Sequence, residues 1–281
     1  MNHEDGFFTG VRGARIYYQY WLPDSKPRAV ILISHGLAEH SGRYMNVVSR
    51  FVPLGYAVYS LDHLGHGRSD GRRVYVRQFA NYTDVLGNYL AMIGKWQPGR
   101  RIFLLGHSMG ALVAASLLLD YQSAFTGAIL SGPSVVVPKN VSRSTIAIAR
   151  LLSTLAPTIG LMGLDATGVS RDPAVVRAYI DDPLVYAGKT TARLAYELVK
   201  TMQRVTAKAS RMTLPIMILQ GGADRLVDPD GARMLYDTIG SSDKTLKIYD
   251  GLYHEVYNEP ERDQVLGDVE AWLENRLDIA D

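Results

Sequence analysis

The sequence predicts an α/β protein with a mostly parallel, doubly wound sheet and an inserted helical segment. Most of six short apolar runs are continuous rather than alternating, as expected for strands buried on both faces of a parallel sheet. Helical patterns separate most of these runs, and alternation of strand and helix is typical of a doubly wound sheet. The third observation is a stretch between Gly132 and Pro215 in which no strand-like run appears.

The elements follow one another along the chain. Residues 16–21 alternate between two faces, which predicts an antiparallel hairpin at one edge of the sheet. The predicted buried strands are Ala29–Ile33, Tyr56–Ser60, Ile102–Leu105, Ala128–Leu130, Ile216–Leu219 and Leu246–Tyr249. The predicted helices are Tyr44–Leu54, Thr83–Lys95, Met109–Tyr121, Gly231–Ile239 and Arg262–Leu277.

The stretch without strands predicts an inserted subdomain. It has helical patterns punctuated by Pro138, Pro157, Pro173 and Pro183, and it is far too long for an ordinary connection. An insertion at the carboxyl edge of a parallel sheet lies over the place where such sheets bind ligands. We therefore predict a core of residues 1–132 and 215–281 and a helical cap of residues 133–214. The alternative is an ordinary run of helices packed elsewhere on the fold.

Composition and charge exclude several classes of protein. The 281 residues include no cysteine, and 30 Lys and Arg against 28 Asp and Glu give a formal net charge of +2. The lack of cysteine excludes disulfides, thiolate metal sites and a cysteine nucleophile. The even charge balance argues against a nucleic-acid partner. We see neither a signal peptide in residues 1–10 nor a run long enough to span a membrane, and we expect a cytoplasmic protein.

The segment Gly106–Gly110, Gly-His-Ser-Met-Gly, carries the strongest chemical signal. It follows a predicted buried strand and opens a predicted helix. Ser108 is therefore expected at a sharp, strained turn with its hydroxyl exposed, where the N-terminus of the helix faces the reacting oxygen. The alternative is an ordinary turn with a solvated serine. We predict Ser108 as a nucleophile.

A serine hydroxyl needs a base to remove its proton. In hydrolases with this turn, an acid and then a histidine follow the serine along the chain. Of the seven histidines only His254 follows Ser108, so it is the predicted base. Asp224, directly after a predicted strand, is the predicted acid that orients the imidazole. Asp228 is its rival, although its place before a proline favours a role at a helix start.

Negative charge on the carbonyl oxygen requires N–H donors in an oxyanion hole. One donor is expected from Met109, the residue after the nucleophile. The other is expected from the loop behind the strand Ala29–Ile33, where Leu37 follows Gly36. Leu37 and Met109 are therefore the predicted donors.

Five segments resemble monoacylglycerol lipases of the α/β-hydrolase superfamily. They are His35–Tyr44, Asp62–Ser69, Gly106–Gly110, Leu219–Leu226 and Lys244–His254. The resemblance covers nearly the whole chain, and residues 133–214 are its least distinctive part. It implies an α/β-hydrolase fold and cleavage of monoacylglycerol to fatty acid and glycerol without a cofactor. It agrees with the assignments made above to Ser108, Asp224, His254, Leu37 and Met109.

The resemblance also implies residues that bind the glycerol end of the substrate. A Glu and an Arg of the first segment and a Tyr of the cap correspond to Glu39, Arg43 and Tyr179, and His107 has a polar counterpart that lines the site. Paired donors and acceptors favour glycerol over a bare alcohol. For Glu39 and Arg43 the alternative is a local ion pair that fixes the loop, and for Tyr179 it is packing within the cap. Tyr257 stands where animal members have a second histidine, which leaves the alcohol preference open.

Residues 144–164 predict contact with lipid. Four residues form one apolar stripe at helical spacing, and apolar residues continue beyond Pro157. The stripe is Ile148, Leu151, Leu152 and Leu155, and the later residues are Ile159, Leu161, Met162 and Leu164. Because one helix face cannot bury this much apolar surface, we expect part of it to be exposed, in transient contact with a membrane from which a long-chain ester enters. The alternative is that all of it packs on the core.

The sequence therefore favours a serine ester hydrolase. A broader carboxylesterase or lysophospholipase would use the same chemistry. An aminopeptidase would need an acidic cluster, which Asp181 and Asp182 could supply. A non-catalytic ligand-binding member of the fold is disfavoured, because every catalytic position is filled. The spacing of His63 and His66 is typical of metal ligands, but their surroundings favour a tight structural turn and no metal.

Overall fold

A central sheet organises the chain. In this computed structural model the structure describes residues 1–137 and 141–277. Its strands are β1 (Asn2–Thr9), β2 (Arg15–Leu22), β3 (Ala29–Ser34), β4 (Tyr56–Leu61), β5 (Ile102–His107), β6 (Gly127–Ser131), β7 (Gly160–Gly163), β8 (Lys189–Thr191), β9 (Ile216–Gly221) and β10 (Lys244–Tyr249). Its α-helices are α1 (Met45–Phe51), α2 (Ala80–Trp96), α3 (Met109–Tyr121), α4 (Arg143–Leu155), α5 (Pro173–Asp181), α6 (Ala192–Lys208), α7 (Pro229–Thr238) and α8 (Arg262–Leu277).

Eight of these strands form the sheet, in the order β1-β2-β4-β3-β5-β6-β9-β10. From β4 to β10 neighbouring strands are parallel. The strands β3, β4 and β5 are buried along their whole length, because apolar side chains cover both faces of the sheet. Residues of α2, α3 and α7 join one core cluster, and residues of α1 and α8 join the other. The predicted doubly wound α/β sheet is confirmed.

The predicted hairpin lies at the N-terminal edge of this sheet. The strand β2 pairs antiparallel with β1 on one side and with β4 on the other. Its alternating pattern places Ile16 in the core beneath α2 and Trp21 in the core beneath α1 and α8. The sequence does not predict β1, because residues 2–5 are polar and exposed and give no apolar alternation.

Residues 133–214 leave the sheet between β6 and β9 and contain α4, α5 and α6. The prediction that this segment has no strand is wrong, because β7 and β8 form a short antiparallel pair. Glycines at both ends of β7 conceal it, since glycine is depleted in strands. The segment contacts the loop after β3 at Tyr186, whose N–H donates to the Ala38 carbonyl at 2.8 Å. Pro138, one of the prolines of the predicted insertion, lies outside the described residues.

The amphipathic helix α4 turns its apolar stripe away from the protein. Ser153 is buried, whereas Leu155 on the stripe is 73% exposed. The exposed apolar surface consists of Ile148, Leu151 and Leu155 of α4 together with Ile159 and Met162 beyond it. The expectation that part of this segment is exposed is confirmed. Among the described helices, none is both long enough and apolar enough to span a membrane.

Candidate active site

Ser108 lies at the turn between β5 and α3, as the sequence predicts. Its backbone has φ 54° and ψ −119°, a strained region that residues other than glycine rarely adopt. A Cβ added to Gly110 would overlap the Ser34 carbonyl oxygen, so only glycine fits against β3. The Ser108 N–H donates to the Ser131 carbonyl at 2.9 Å, which fixes the turn to β6. This geometry directs the side chain away from the sheet at its carboxyl edge.

His254 and Asp224 are in direct contact. His254 follows β10, Asp224 follows β9, and the imidazole Nδ1 lies 2.7 Å from Oδ2 of the carboxylate. The other oxygen of Asp224 accepts from the N–H groups of Leu226 at 2.8 Å and Val227 at 3.0 Å. With Nδ1 donating to the carboxylate, Nε2 of the neutral imidazole is the acceptor. The arrangement fixes the orientation and tautomer of a base.

Burial and the contact between these two residues have opposite effects on the pKa of each. Burial alone would lower the pKa of His254, but the hydrogen bond to Asp224 and the negative charges of Asp224, Glu255 and Glu39 together outweigh that effect and raise the pKa. Burial would raise the pKa of Asp224, but the hydrogen bond from His254 and those from the backbone lower it. The carboxylate therefore stays ionised and stabilises a protonated imidazole.

Asp228, the rival acid, has a different place. It caps the N-terminus of α7, where its side chain accepts from the Asp230 N–H at 3.0 Å. Carboxylates are favoured at that position, because they satisfy one of the free N–H groups of the first turn. The structure thus brings Asp224, rather than Asp228, to His254.

Ser108 and His254 line the same open cavity, of about 230 Å³. Part of its wall comes from residues 133–214, through Leu164, Val169 and Tyr179. The remaining wall residues come from the core: Gly36, Leu37, Glu39, His107, Leu226 and Glu255. Residues 133–214 thus contribute to a site at the carboxyl edge of the sheet, where parallel sheets bind ligands.

The two predicted oxyanion donors flank Ser108. Leu37 lies on the cavity wall, and a Cβ added to the preceding Gly36 would lie 3.4 Å from Ser108 Cβ. Met109 is the first residue of α3, where N–H groups have no partner within the helix. The positive end of the α3 dipole lies at the same point. The site can therefore offer N–H donors beside the nucleophile.

Glu39 and Arg43 form the local ion pair considered from the sequence, but with more partners than predicted. Arg43 Nη1 lies 2.9 Å from Glu39 Oε2, and both Nη atoms contact Glu255, at 2.6 and 2.8 Å. Glu39 Oε1 accepts from the Gly36 N–H at 2.6 Å and from the Tyr44 hydroxyl at 2.7 Å. Glu255 was not predicted as a site residue, and the only signal for it in the sequence is its place directly after the predicted base.

His107 and Tyr179 complete the polar wall. The His107 ring lies 4.7 Å from the His254 ring between centroids, and burial together with the His254 charge lowers the pKa of His107 to about 4. His107 is therefore neutral near pH 7. Tyr179 is buried beneath Arg43, whose guanidinium carbon lies 4.5 Å from the ring centroid. Both residues face the cavity that Ser108 lines.

A second cavity, of about 270 Å³, adjoins the first. Glu39, His107 and Glu255 line both cavities and so form the wall between them. Tyr257 lies on the second cavity alone. Tyr257 thus faces the side of this polar wall that is turned away from Ser108.

His63 and His66 belong to a tight turn, as predicted. Gly67 has φ 49°, and a Cβ added there would overlap the Asp62 carboxylate. That carboxylate accepts from the Ser41 N–H at 2.8 Å and the Arg68 N–H at 2.7 Å. The turn therefore supports the loop that carries Leu37 and Glu39.

Comparison with known proteins assigns the chain to a family. Residues 25–261 match the family described as serine aminopeptidase, S33. The chain is 42% identical over 270 residues to a monoacylglycerol lipase of Mycolicibacterium smegmatis, with 96% of each protein covered. It is 34% identical over 271 residues to a monoglyceride lipase of Homo sapiens, with 95% of this chain and 89% of that protein covered. The crystal structure of Paleococcus ferrophilus monoacylglycerol lipase aligns with a TM-score of 0.84 and 28% identity, over 93% of this chain and 99% of that one. The chain belongs to the monoacylglycerol lipase family of the α/β-hydrolase superfamily, a family of carboxylic ester hydrolases.

Proposed function

We propose that this chain hydrolyses the ester bond of monoacylglycerols to a fatty acid and glycerol, through an acyl-enzyme on Ser108. The observation that carries the proposal is the 2.7 Å contact from Asp224 to His254, which lines the same cavity as Ser108. A nucleophile, a base and an orienting acid are the groups that ester cleavage of this type requires. The substrate class follows from the names of the relatives.

In the proposed reaction Ser108 Oγ attacks the ester carbonyl, and His254 Nε2 accepts the hydroxyl proton. Asp224 orients the imidazole and stabilises the imidazolium that forms. The N–H groups of Leu37 and Met109 stabilise the oxyanion. His254 then gives its proton to the departing glycerol oxygen, which leaves the acyl group on Ser108. A water that loses a proton to His254 attacks the acyl-enzyme and releases the fatty acid.

The glycerol end of the substrate is proposed to meet the polar wall of the cavity. Tyr179 and His107 face the cavity, and Glu39 and Arg43 hold that wall in place through their ion pair. Because the carboxylate oxygens of Glu39 already accept three hydrogen bonds from the protein, its main contribution is to organise the donors around it. A wall of fixed polar groups discriminates against alcohols that leave them unpaired.

Residues 133–214 are proposed to act as a cap that receives the substrate from a lipid surface. Leu164 and Val169 of this segment line the cavity, and the exposed apolar surface lies on the same segment. Contiguous exposed apolar side chains favour binding to membranes or other apolar partners. A monoacylglycerol is held in membranes by its acyl chain, so transient contact of the cap with that surface would supply it.

A substrate panel tests the proposed function. The panel compares mono-, di- and triacylglycerols, a lysophospholipid and p-nitrophenyl esters of graded chain length at matched concentration. We expect the highest kcat/KM among the lipids on monoacylglycerol. Activity on short p-nitrophenyl esters with none on monoacylglycerol would instead identify a general esterase. Hydrolysis of no ester at all would favour a protein that only binds its ligand.

An aminopeptidase is less well supported. It would need a free carboxylate in the cavity to meet the amino group of a peptide. Glu39 and Glu255 line the cavity but are both paired with Arg43, and Asp182 contacts other partners. Its Oδ2 lies 2.8 Å from His40 Nε2, and its Oδ1 accepts from the Leu184 N–H at 2.8 Å. Those contacts contribute to holding the pKa of Asp182 below its usual value. Its carboxylate therefore has a structural role, in contact with the loop after β3.

A further inference from the structure

Glu255, the residue after His254, lies at the centre of a buried cluster of charges. Its two oxygens accept from both Nη atoms of Arg43, at 2.6 and 2.8 Å, and Oε2 also accepts from Asn258 Nδ2 at 2.8 Å. Glu255 is 5% exposed, so this fork is shielded from water. Burial would raise the pKa of Glu255, but the Arg43 guanidinium lowers it, and the carboxylate stays charged. A bidentate pair of this kind fixes orientation as well as distance.

The cluster joins two loops that are far apart in sequence. The histidine loop, residues 250–259, carries His254, and the oxyanion loop, residues 35–43, carries Leu37. Glu255 forms an ion pair with Arg43, and Arg43 forms another with Glu39. Glu39 Oε1 accepts at 2.6 Å from the N–H of Gly36, the residue before Leu37. Each contact in this series lies within hydrogen-bond distance. These contacts fix the position of the oxyanion loop relative to the histidine loop.

We propose that Glu255 is a positioning residue that, through Arg43 and Glu39, fixes the oxyanion loop relative to His254. The inference rests on the proposed function, because it assumes that His254 is the base and Leu37 an oxyanion donor. It assigns Glu255 no contact with the reacting atoms. A misplacement of about 1 Å between reacting groups can cost about a hundredfold in rate, so a rigid link between these two loops has a large effect on kcat.

The negative charge of Glu255 also affects the pKa of His254. The groups that face His254 are Asp224 after β9, His107 at the end of β5, Glu39 in the oxyanion loop and Glu255 beside it in the histidine loop. After Asp224, the negative charges of Glu255 and Glu39 are the next to raise the pKa of His254. Removing the charge of Glu255 should therefore make His254 lose its proton at lower pH.

The test measures kcat, KM and the acid limb of the pH profile for Glu255→Gln, with a soluble p-nitrophenyl ester as substrate. We expect kcat to fall roughly ten- to a hundredfold with KM little changed. We also expect the acid limb of kcat/KM, which reports the base of the free enzyme, to move to lower pH. A residue that only stabilised the fold would leave that limb in place.

Two further variants sharpen the test. Glu255→Asp keeps the charge but shortens the side chain, so kcat should fall while the acid limb stays at the wild-type pH. If Glu255→Gln does not fold, Glu255→Asp still tests the link through kcat. Glu270→Gln is the matched control, because it removes the carboxylate of α8 that pairs with Arg50 of α1 and lines neither cavity, and it should behave as wild type.

The outcomes separate the inference from the proposed function. Wild-type kcat in both folded Glu255 variants, with an unmoved acid limb, would overturn the inference while the wild-type enzyme remained active. A loss confined to monoacylglycerol, with normal p-nitrophenyl turnover, would also overturn it, since Glu255 would then act through the alcohol. Failure of the wild-type protein to cleave any ester or to react with a fluorophosphonate would overturn the proposed function itself.

Discussion

At the scale of single residues, two nearby aspartates have clearly different roles. Asp224 contacts His254, whereas Asp228 caps α7. We expect Asp224→Asn to lower kcat by about 10⁴-fold, because the imidazole loses the carboxylate that sets its tautomer. Asp228→Asn should retain wild-type kcat, since asparagine caps a helix as well as aspartate does. Steady-state kinetics on a p-nitrophenyl ester measure both, and the reverse pattern would move the acid role to Asp228.

The hydroxyl of Tyr179 can be tested separately from its ring. Tyr179→Phe keeps the ring beneath the Arg43 guanidinium and removes only the hydroxyl from the cavity. A hydrogen bond to a neutral group contributes about 0.5–1.5 kcal/mol, so monoacylglycerol turnover should fall between a few-fold and about tenfold. A p-nitrophenyl ester of the same chain has no glycerol and should be cleaved normally. Equal loss on both substrates would mean that Tyr179 only packs within the cap.

The site residues that could be paired from the sequence are those that lie together in a short motif. Glu39 and Arg43, which the family resemblance singles out, stand in one segment, so a local ion pair between them could be considered from the sequence. Glu255 could not be paired with Arg43 in this way, because 212 positions separate them. Only the fold, which places the loop after β10 beside the loop after β3, brings their side chains together. Long-range polar contacts of this type leave no periodic signal in the sequence.

At the scale of elements, the exposed apolar surface gives the clearest prediction. Replacing Leu155, Ile159 and Met162 with serine should weaken liposome binding and long-chain monoacylglycerol turnover, because all three side chains are exposed. Turnover of a soluble short-chain ester and the Tm should change little, since exposed apolar residues contribute little to the core. Tyr121 lies outside residues 133–214 and is 60% exposed. Tyr121→Ser is therefore the control for a general loss of apolar surface. A large fall in Tm, or equal loss of both activities, would show that the segment is part of the core.

The turn around His66 makes the fold sensitive to acid. Burial lowers the pKa of His66 to about 3 and that of His35 to about 4, whereas an unfolded chain titrates near 6.5. Between those values the unfolded state binds more protons, so the free energy of unfolding should fall as the pH drops from about 6.5 toward 4. We expect His66→Asn to reduce this dependence, as measured by urea unfolding at pH 7 and pH 5. An unchanged difference between the two pH values would contradict the account.

At the scale of the whole molecule, continuous apolar runs were enough to predict the parallel sheet. Runs such as Ala29–Ile33 form strands that are buried on both faces, and few other structural elements require such a short, continuous apolar run. The pair β7 and β8 was not predictable, because four residues bounded by glycine carry no strand pattern. The direction of the α4 stripe was also beyond the sequence: amphipathicity identifies an apolar face but not whether it faces the core or the solvent.

Covalent labelling can show whether Ser108 is the residue that forms the acyl-enzyme. The folded protein is incubated with a fluorophosphonate and then analysed by intact and peptide mass spectrometry. We expect one adduct, on the peptide that contains Ser108, with loss of ester turnover in step with labelling. Ser108→Ala should fold, form no adduct and show no turnover. An adduct on another residue, or ester turnover by Ser108→Ala, would contradict the account.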